Sequence, residues 1–175
     1  PLKRFRVRGW RPGEMVAFYD CEHILIQGVH LCHSPMYNIM AYCCTGVRIV
    51  DVDISNHPST PNGDGIDPIC CHDVHIHGCT IDTADDSIAI YSGFAIAAND
   101  VRSCENIVIS DCILRSRCNA IRIGYAGDKP IRNIVAHDVI VEARAGVAIQ
   151  SVCPFNVKQG TPIEHVILSN MIMHV

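Results

Sequence analysis

The stretch Cys71-His-Asp-Val-His-Ile-His-Gly-Cys-Thr-Ile81 decides the fold, because its pattern returns along the chain. Close copies span residues 21–31, 44–54 and 104–114, and weaker copies begin at Ile131 and Ile163. Within each copy apolar residues fall at alternate positions, which is the period of a half-buried β-strand. Asn, Asp, Gly and His cluster at the turns. The copies begin 23 to 33 residues apart, so the chain is built from internal repeats.

A second, shorter apolar segment accompanies each copy. We predict that its leading residues occupy equivalent places in successive turns; they are Ile39, Ile66, Ile88, Ile121 and Val147. Strands at this period, without long helical patterns, predict a solenoid that stacks its strands in parallel. A β-sandwich fits less well, because its strands do not repeat one motif, and a propeller has longer four-stranded repeats.

We therefore expect an all-β, right-handed parallel β-helix of about six coils. Residues 1–175 should form this single domain. A β-helix needs terminal caps, because each end exposes apolar coil and unpaired edge. Neither end of the sequence has a clear cap, so we expect a portion of a longer chain.

The composition excludes two classes of partner. The formal charge of -4 and the pI of about 6.2 provide no basic stripe for nucleic acid. The sequence contains no run of about 18 apolar residues, so it predicts no transmembrane helix. At 49% hydrophobic residues the chain has ample material for a core.

The cysteines are best explained as core residues. There are eleven, an odd number, and most replace Ile or Val at strand positions. Four of them begin the repeat copies and should stack as a buried ladder of reduced thiols: Cys21, Cys44, Cys71 and Cys104. Reduced thiols favour a cytoplasmic location, although the sequence leaves a secreted protein possible.

Three carboxylates are expected on one face. Asp64 and Asp86 lie two residues before Ile66 and Ile88, so they should occupy adjacent coils about 4.8 Å apart. Asp85 lies beside Asp86. Such crowding raises the pKa of one carboxyl, and glycoside hydrolysis uses one protonated and one ionised carboxyl. The alternative is that these residues only stabilise turns.

Two motifs resemble the polygalacturonase family, glycoside hydrolase family 28. They are Asn62-Gly-Asp-Gly-Ile-Asp67 and Asp85-Asp-Ser-Ile-Ala-Ile-Tyr-Ser-Gly93, and they are similar to the family's Asn-Thr-Asp-Gly and Asp-Asp-Cys-Ile-Ala-Ile-Lys-Ser-Gly. The resemblance implies a pectin-lyase-like β-helix that hydrolyses a pectic or related polysaccharide with inversion. It also implies that Asp86 is the general acid and that Asp64 and Asp85 position and deprotonate water.

The chain departs from that family at the residues that bind an acidic sugar. The family's Gly-His-Gly falls at Cys118-Asn119-Ala120, and its Arg-Ile-Lys falls at Ala148-Ile149-Gln150. A different or neutral glycoside is therefore the expected substrate. Arg122 offers a bidentate clamp for a carboxylate, or is simply an exposed strand residue. The expected substrate contacts are Asn62, Tyr91, which replaces a family lysine, Asn119 and Arg122.

Two other functions stay open. A polysaccharide lyase on this fold would hold calcium with Asp64, Asp85 and Asp86 and use an arginine as base. A non-catalytic carbohydrate-binding module would need none of this chemistry. We expect no cofactor and no metal. His75 and His77 should lie on the outside of a strand, and the spacing of residues 70–79 fits no zinc motif.

Overall fold

The computed structural model describes residues 11–93, 102–125, 127, 129–152 and 160–175. The expected first coil from Pro1 and the residue Cys153 therefore lie outside the described residues. Over the described ranges the chain forms fourteen strands and no helix. The strands are β1 (Val16–Tyr19), β2 (Glu22–Gln27), β3 (His30–Cys32), β4 (Ile39–Tyr42), β5 (Thr45–Val50), β6 (Asp53–Ser55), β7 (Ile66–Ile69), β8 (His72–His77), β9 (Thr80–Thr83), β10 (Ile88–Ile90), β11 (Cys104–Ser110), β12 (Ile113–Gly124), β13 (Ile131–Gln150) and β14 (Ile163–His174).

All strand pairs are parallel, and they form three strips that wind around one core. Strip 1 contains β1, β4, β7, β10 and the second halves of β12 and β13. Strip 2 contains β2, β5, β8, β11, the first part of β13 and the first part of β14. Strip 3 contains β3, β6, β9 and the remaining parts of β12, β13 and β14. The fold is the expected all-β, right-handed parallel β-helix.

The predicted register is confirmed in strip 1. Ile39 pairs with Ile66, Ile66 with Ile88, Ile88 with Ile121 and Ile121 with Val147. The first four of these side chains are at most 1% exposed and stack inside the coil. Each buried Ile contributes about 1.5–3 kcal/mol to stability. Because side chains alternate along a strand, the residues two places before these markers are aligned between coils as well.

Each of the four close copies is two strands rather than one, whereas the copies from Ile131 and Ile163 run as the continuous strands β13 and β14. The first copy divides into β2 and β3 at Gly28, whose φ is 64°. The corner turns the chain from strip 2 to strip 3, and apolar alternation does not reveal it because both arms face the same core. β1 was also missed by the repeat pattern, and it pairs with β4 through Val16 and Ile39.

A left-handed backbone recurs near the start of every strand segment of strip 2. Six equivalent positions, His23, Gly46, Asp73, Asn106, Asn133 and His165, have φ between 52° and 70°. Gly, Asn, Asp and His tolerate this region better than most other residues. Three of the side chains also stack: Asn106 Nδ2 donates to Asp73 Oδ1 at 2.8 Å and Asn133 Nδ2 donates to Asn106 Oδ1 at 2.9 Å.

The cysteine ladder follows the predicted register. Cys44, Cys71 and Cys104 are 0% exposed, whereas Cys21 is half-buried in the first described coil. The Cys71 N–H donates to Cys104 Sγ at 3.4 Å. The thiols of the ten described cysteines are free. In the part of the chain that is described, no helix is long and apolar enough to cross a membrane.

Candidate active site

The three sequence-predicted carboxylates come together at the start of strip 1. The Gly65 N–H donates to the Asp86 carbonyl at 2.9 Å, and the Ser87 N–H donates to the Asn119 carbonyl at 3.0 Å. Asp64, Asp86 and Asn119 therefore lie on successive coils, as expected. A Cβ at Gly65 would lie 2.4 Å from the Ser87 carbonyl oxygen, so only glycine permits this close approach of the two coils.

Asp86 is fully buried and receives donors from the next coil. Asn119 donates to Asp86 Oδ1 through its backbone N–H at 3.1 Å and through Nδ2 at 2.6 Å. Arg122 Nε lies 2.7 Å from Asp86 Oδ2 as an ion pair, although it is not aligned as a hydrogen bond. The pKa of Asp86 lies above its usual value because of burial, although Asn119 and Arg122 oppose the rise. These two residues therefore favour the ionised form of Asp86.

Among the residues that the structure describes, none donates to Asp64 or Asp67 in a comparable way. Asp64 is 4% exposed, and burial together with the charges of Asp85 and Asp86 raises its pKa well above the usual range. Asp67 is 0% exposed, and neither of its carboxylate oxygens has a hydrogen-bond partner among the described residues. Burial and the charge of Asp64 raise the pKa of Asp67 well above its usual range. The neutral acid is thus favoured at both positions.

Asp67 is the site residue that sequence reasoning missed. It pairs with Met40 in strip 1 and follows the marker Ile66 by one residue. Ala89 and Arg122 likewise lie one residue after their own markers, Ile88 and Ile121. Aligning the residues that follow the markers would therefore have revealed Asp67. It also lies inside the motif quoted from residues 62–67.

Asp85 is the more accessible member of the carboxylate group. It is half-buried, and its carbonyl accepts hydrogen bonds from Thr83 Oγ1 at 2.9 Å and from Ser116 Oγ at 2.6 Å. One ligand atom from each of Asp85, Asp86 and Cys118 lies within 4.8 Å of the others. These three residues could hold a metal ion by distance, but Arg122 and Asn119 already occupy the oxygens of Asp86.

The remaining predicted substrate contacts differ in their surroundings. Asn62 is exposed, and its Oδ1 accepts from Arg11 at 3.4 Å. Tyr91 is 7% exposed and packs with Met40, Ile69 and other buried residues, which leaves little of its ring for a sugar. Tyr37 and Tyr125 are half-buried at the edge of the same cluster.

Arg122 is neither an exposed strand residue nor a free clamp. Its side chain is 17% exposed, is paired with Asp86, and lies over the Tyr125 ring with Cζ 5.0 Å from the centroid. Ala148 and Gln150, where the resemblance places the family's cations, pair with Arg122 and Gly124 on the preceding coil. The coil after Arg122 thus presents no charge at these two places.

The histidine-rich strand β8 has the predicted orientation. His75 and His77 are exposed and alternate with the buried Val74 and Ile76. His77 Nδ1 lies 3.0 Å from Ser110 Oγ and 3.3 Å from Asp111 Oδ2. These polar contacts account for His77 on the exterior of strip 2 without a metal ion.

The coil architecture and the aspartate group together define the class of protein. The family model described as "Glycosyl hydrolases family 28" matches residues 8–174, and the chain belongs to this family.

Individual relatives are polygalacturonases. The chain is 33% identical to a polygalacturonase of Cryptomeria japonica over 114 residues, 65% of this chain and 20% of that protein. It is 30% identical to a probable polygalacturonase of Arabidopsis thaliana over 136 residues, 66% of this chain and 30% of that protein. A hyperthermoactive exopolygalacturonase from Thermotoga maritima is similar in structure, with a TM-score of 0.72 and 27% identity over 91% of this chain and 39% of that one. The chain thus spans between a fifth and two fifths of these proteins.

Proposed function

We propose that the protein hydrolyses O-glycosidic bonds in a pectic or related polysaccharide. The observation that carries the proposal is the group formed by Asp64, Asp85 and Asp86, in which the carboxyls differ in environment. Burial raises the pKa of both residues, but Asn119 and Arg122 oppose the rise at Asp86, whereas the pKa of Asp64 lies well above its usual range. Carboxyls whose environments push their pKa values apart are suited to opposite roles in acid–base catalysis.

We assign the roles from accessibility and pairing. Asn119 and Arg122 oppose the rise that burial causes in the pKa of Asp86, and we assign Asp86 the proton of the attacking water. Asp85 is the member that solvent reaches, and it gives a proton to the leaving oxygen. Asp64 holds the water against Asp86. This exchanges the roles of Asp85 and Asp86 relative to the expectation from the resemblance, because the crowding argument did not include Arg122.

The stereochemistry is decided by the position of the water. The approach of the Asp85 and Asp86 carboxyls within 4.8 Å is shorter than the roughly 6.5–9.5 Å that separates acid and base in inverting enzymes. Inversion therefore requires the water to lie on the Asp64 side of Asp86 rather than between Asp85 and Asp86. We propose inversion with this placement, and NMR of the first-formed anomer tests it.

The proposed substrate is uncharged at the sugar that contacts the coil of Ala148 and Gln150. Both positions lack a cation, and Arg122 is engaged by Asp86.

The ion pair between Arg122 and Asp86 also disfavours a lyase, because an arginine that acts as a base must first lose a proton. Although burial lowers the pKa of Arg122, Asp86 raises it above the usual value.

The test compares single variants on a panel of galacturonide and neutral oligosaccharides. Asp86→Asn should lower kcat by about 10²-fold or more, while the exposed Asp82→Asn on β9 is the matched control. Equal rates for the two variants would contradict the proposal. Glycan binding without any cleavage would identify a binding module, and an unsaturated product would identify a lyase.

A second comparison addresses the substrate. Ala148→Arg combined with Gln150→Lys should raise kcat/KM for galacturonides relative to neutral oligosaccharides, because guanidinium and ammonium groups bind a sugar carboxylate. If the unaltered protein already prefers galacturonides, the assignment of an uncharged sugar is wrong.

A further inference from the structure

A β-bulge places Cys118 beside the carboxylates. Ser116 pairs with Ala143 and Asn119 pairs with Ala145, so β12 carries one more residue than β13 between these two pairs. A bulge of this kind redirects a side chain away from the regular alternation of the strand. The Cys118 N–H donates to Ser116 Oγ at 2.8 Å, and that hydroxyl donates to the Asp85 carbonyl at 2.6 Å. The backbone of Cys118 is thereby tied to the backbone of Asp85.

The thiol lies among four polar groups of the site. Its Sγ and one oxygen from each of Asp85 and Asp86 are within 4.8 Å of one another. Asn119 Nδ2 donates to Cys118 Sγ at 3.4 Å, and an Arg122 terminal nitrogen lies 3.7 Å from it. Neither Asp85 nor Asp86 can change its orientation without altering its distance to this sulfur.

The chemistry of the thiol suits a hydrogen-bonding role. A thiol donates weakly through S–H and accepts weakly through sulfur, so it can join a carboxylate to an N–H donor. Burial, the charges of Asp86 and Asp85 and the hydrogen bonds to both carboxyls raise the pKa of Cys118 to about 12. The group therefore stays protonated at neutral pH and keeps its donor.

We propose that Cys118 is a positioning residue of the hydrolytic site, whose thiol holds the Asp85 and Asp86 carboxyls in the relative orientation that catalysis needs. The inference rests on the proposed function. Asp85 has the greater freedom because it is half-buried, so it gains more from a fixed neighbour than Asp86, which Asn119 and Arg122 already hold.

Steady-state kinetics of substituted proteins test the role. Cys118→Ala should lower kcat roughly tenfold, the loss expected for one hydrogen bond to a charged group, with little change in KM. Cys118→Ser keeps a donor and should recover most of kcat. Cys32→Ala, at an exposed cysteine on β3, is the control and should match the unaltered protein. The proposal is overturned if Cys118→Ala is as fast as Cys32→Ala, or if Cys118→Ser loses as much kcat as Cys118→Ala while both unfold at the same temperature.

A labelling experiment tests the contact without using activity. Methyl methanethiosulfonate converts a thiol to its methyl disulfide and releases methanesulfinate and a proton. Peptide mass spectrometry should find Cys118 labelled several-fold faster in Asp85→Asn or Asp86→Asn, because removing a carboxylate raises the thiolate fraction. Cys32 should be labelled at one rate throughout. An unchanged labelling rate of Cys118 in both variants would contradict the contact.

The two proposals can fail separately. If the wild-type protein cleaves no glycan, both the proposed function and the positioning role are wrong. If it cleaves a glycan and Cys118→Ala leaves the rate unchanged, only the positioning role is wrong.

Discussion

At Asp86 one neighbouring cation alters the role that we propose for the residue. The spacing of Asp86 from Ile88 predicted its coil and its face, and the register confirmed both. The spacing did not reveal that Arg122 reaches back from the following coil to within 2.7 Å of its carboxylate. Strand periodicity fixes which residues face outward, but the side-chain conformation that pairs two of them depends on all of their neighbours.

Replacing Arg122 distinguishes the two assignments of Asp86. Arg122 lowers the pKa of Asp86, so Arg122→Gln should raise it. If Asp86 is the base, the acidic limb of the pH profile of kcat/KM moves to higher pH, because the base must be ionised. A shift of the alkaline limb instead would identify Asp86 as the acid. Arg115→Gln, which removes an exposed ion pair with Glu142, is the control and should leave both limbs in place.

The buried Asp67 should make the fold less stable as the pH rises. An unfolded aspartate titrates at about pH 4, and the pKa of Asp67 in the fold is raised well above that. The native state therefore binds this proton more tightly, and the resulting stabilisation is complete below about pH 4 and lost as the pH rises through the raised pKa. Asp67→Asn should increase the free energy of unfolding by about 0.5–2 kcal/mol at neutral pH.

Urea denaturation across the acidic range measures the effect. The gain from Asp67→Asn should shrink towards about pH 4, where both the folded and the unfolded carboxyl of the parent protein are protonated. The exposed Asp82→Asn should give no such trend. A gain independent of pH would show that the substitution acts through packing rather than through charge.

At the scale of the elements, the corners of strip 1 depend on Arg102. Its Nε donates to the Cys70 carbonyl at 2.9 Å, and one terminal nitrogen donates to the Cys43 and Cys44 carbonyls at 2.6 and 2.9 Å. Cys43 and Cys70 have φ of 54° and 53°. Arg102 thus satisfies carbonyl groups of adjacent coils at their left-handed corners. The repeat pattern does not predict this role, because Arg102 belongs to no repeat copy.

Removing Arg102 should destabilise the fold. Arg102→Ala removes the guanidinium hydrogen bonds to these buried carbonyl groups, and it should lower the free energy of unfolding by roughly 2–4 kcal/mol. Arg102→Lys should recover only part of this, because an ammonium cannot reproduce the fork of donors. Arg115→Ala provides the surface control in the same urea titration. A loss no larger than that of the control would show that water replaces the guanidinium.

Across the whole molecule, the repeat pattern predicted more of the fold than of the site. Marker residues gave the parallel register because every coil repeats the same apolar spacing. The repeat pattern did not reveal three residues, each for a different reason. Asp67 lies one residue after its marker, Arg102 lies between copies, and Cys118 is redirected by a bulge. A bulge of one residue leaves no periodic trace when only one coil contains it.

The redox state of the chain is a property of the whole molecule. The thiols of Cys44, Cys71 and Cys104 are buried in the core, where they pack as small apolar groups. Thiol titration of the denatured, unreduced protein should find most of the eleven cysteines free. We propose a reducing compartment on this basis. Recovery of mostly disulfide-bonded cysteine would instead indicate an oxidising one.

The shared register also has a genetic consequence. Each coil presents the same hydrogen-bonding edge to the coil before and after it, so an in-frame duplication of one coil could be inserted with its neighbours' contacts preserved. Its effect on catalysis would depend on where it fell. A coil duplicated between β2 and β4 would leave the aspartate group together, whereas one inserted between β7 and β10 would move Asp64 from Asp86 by about another 4.8 Å. Exchange between repeats should therefore be tolerated along the chain except at the two coil boundaries that the active site spans, from Asp64 to Asp86 and from Asp86 to Arg122.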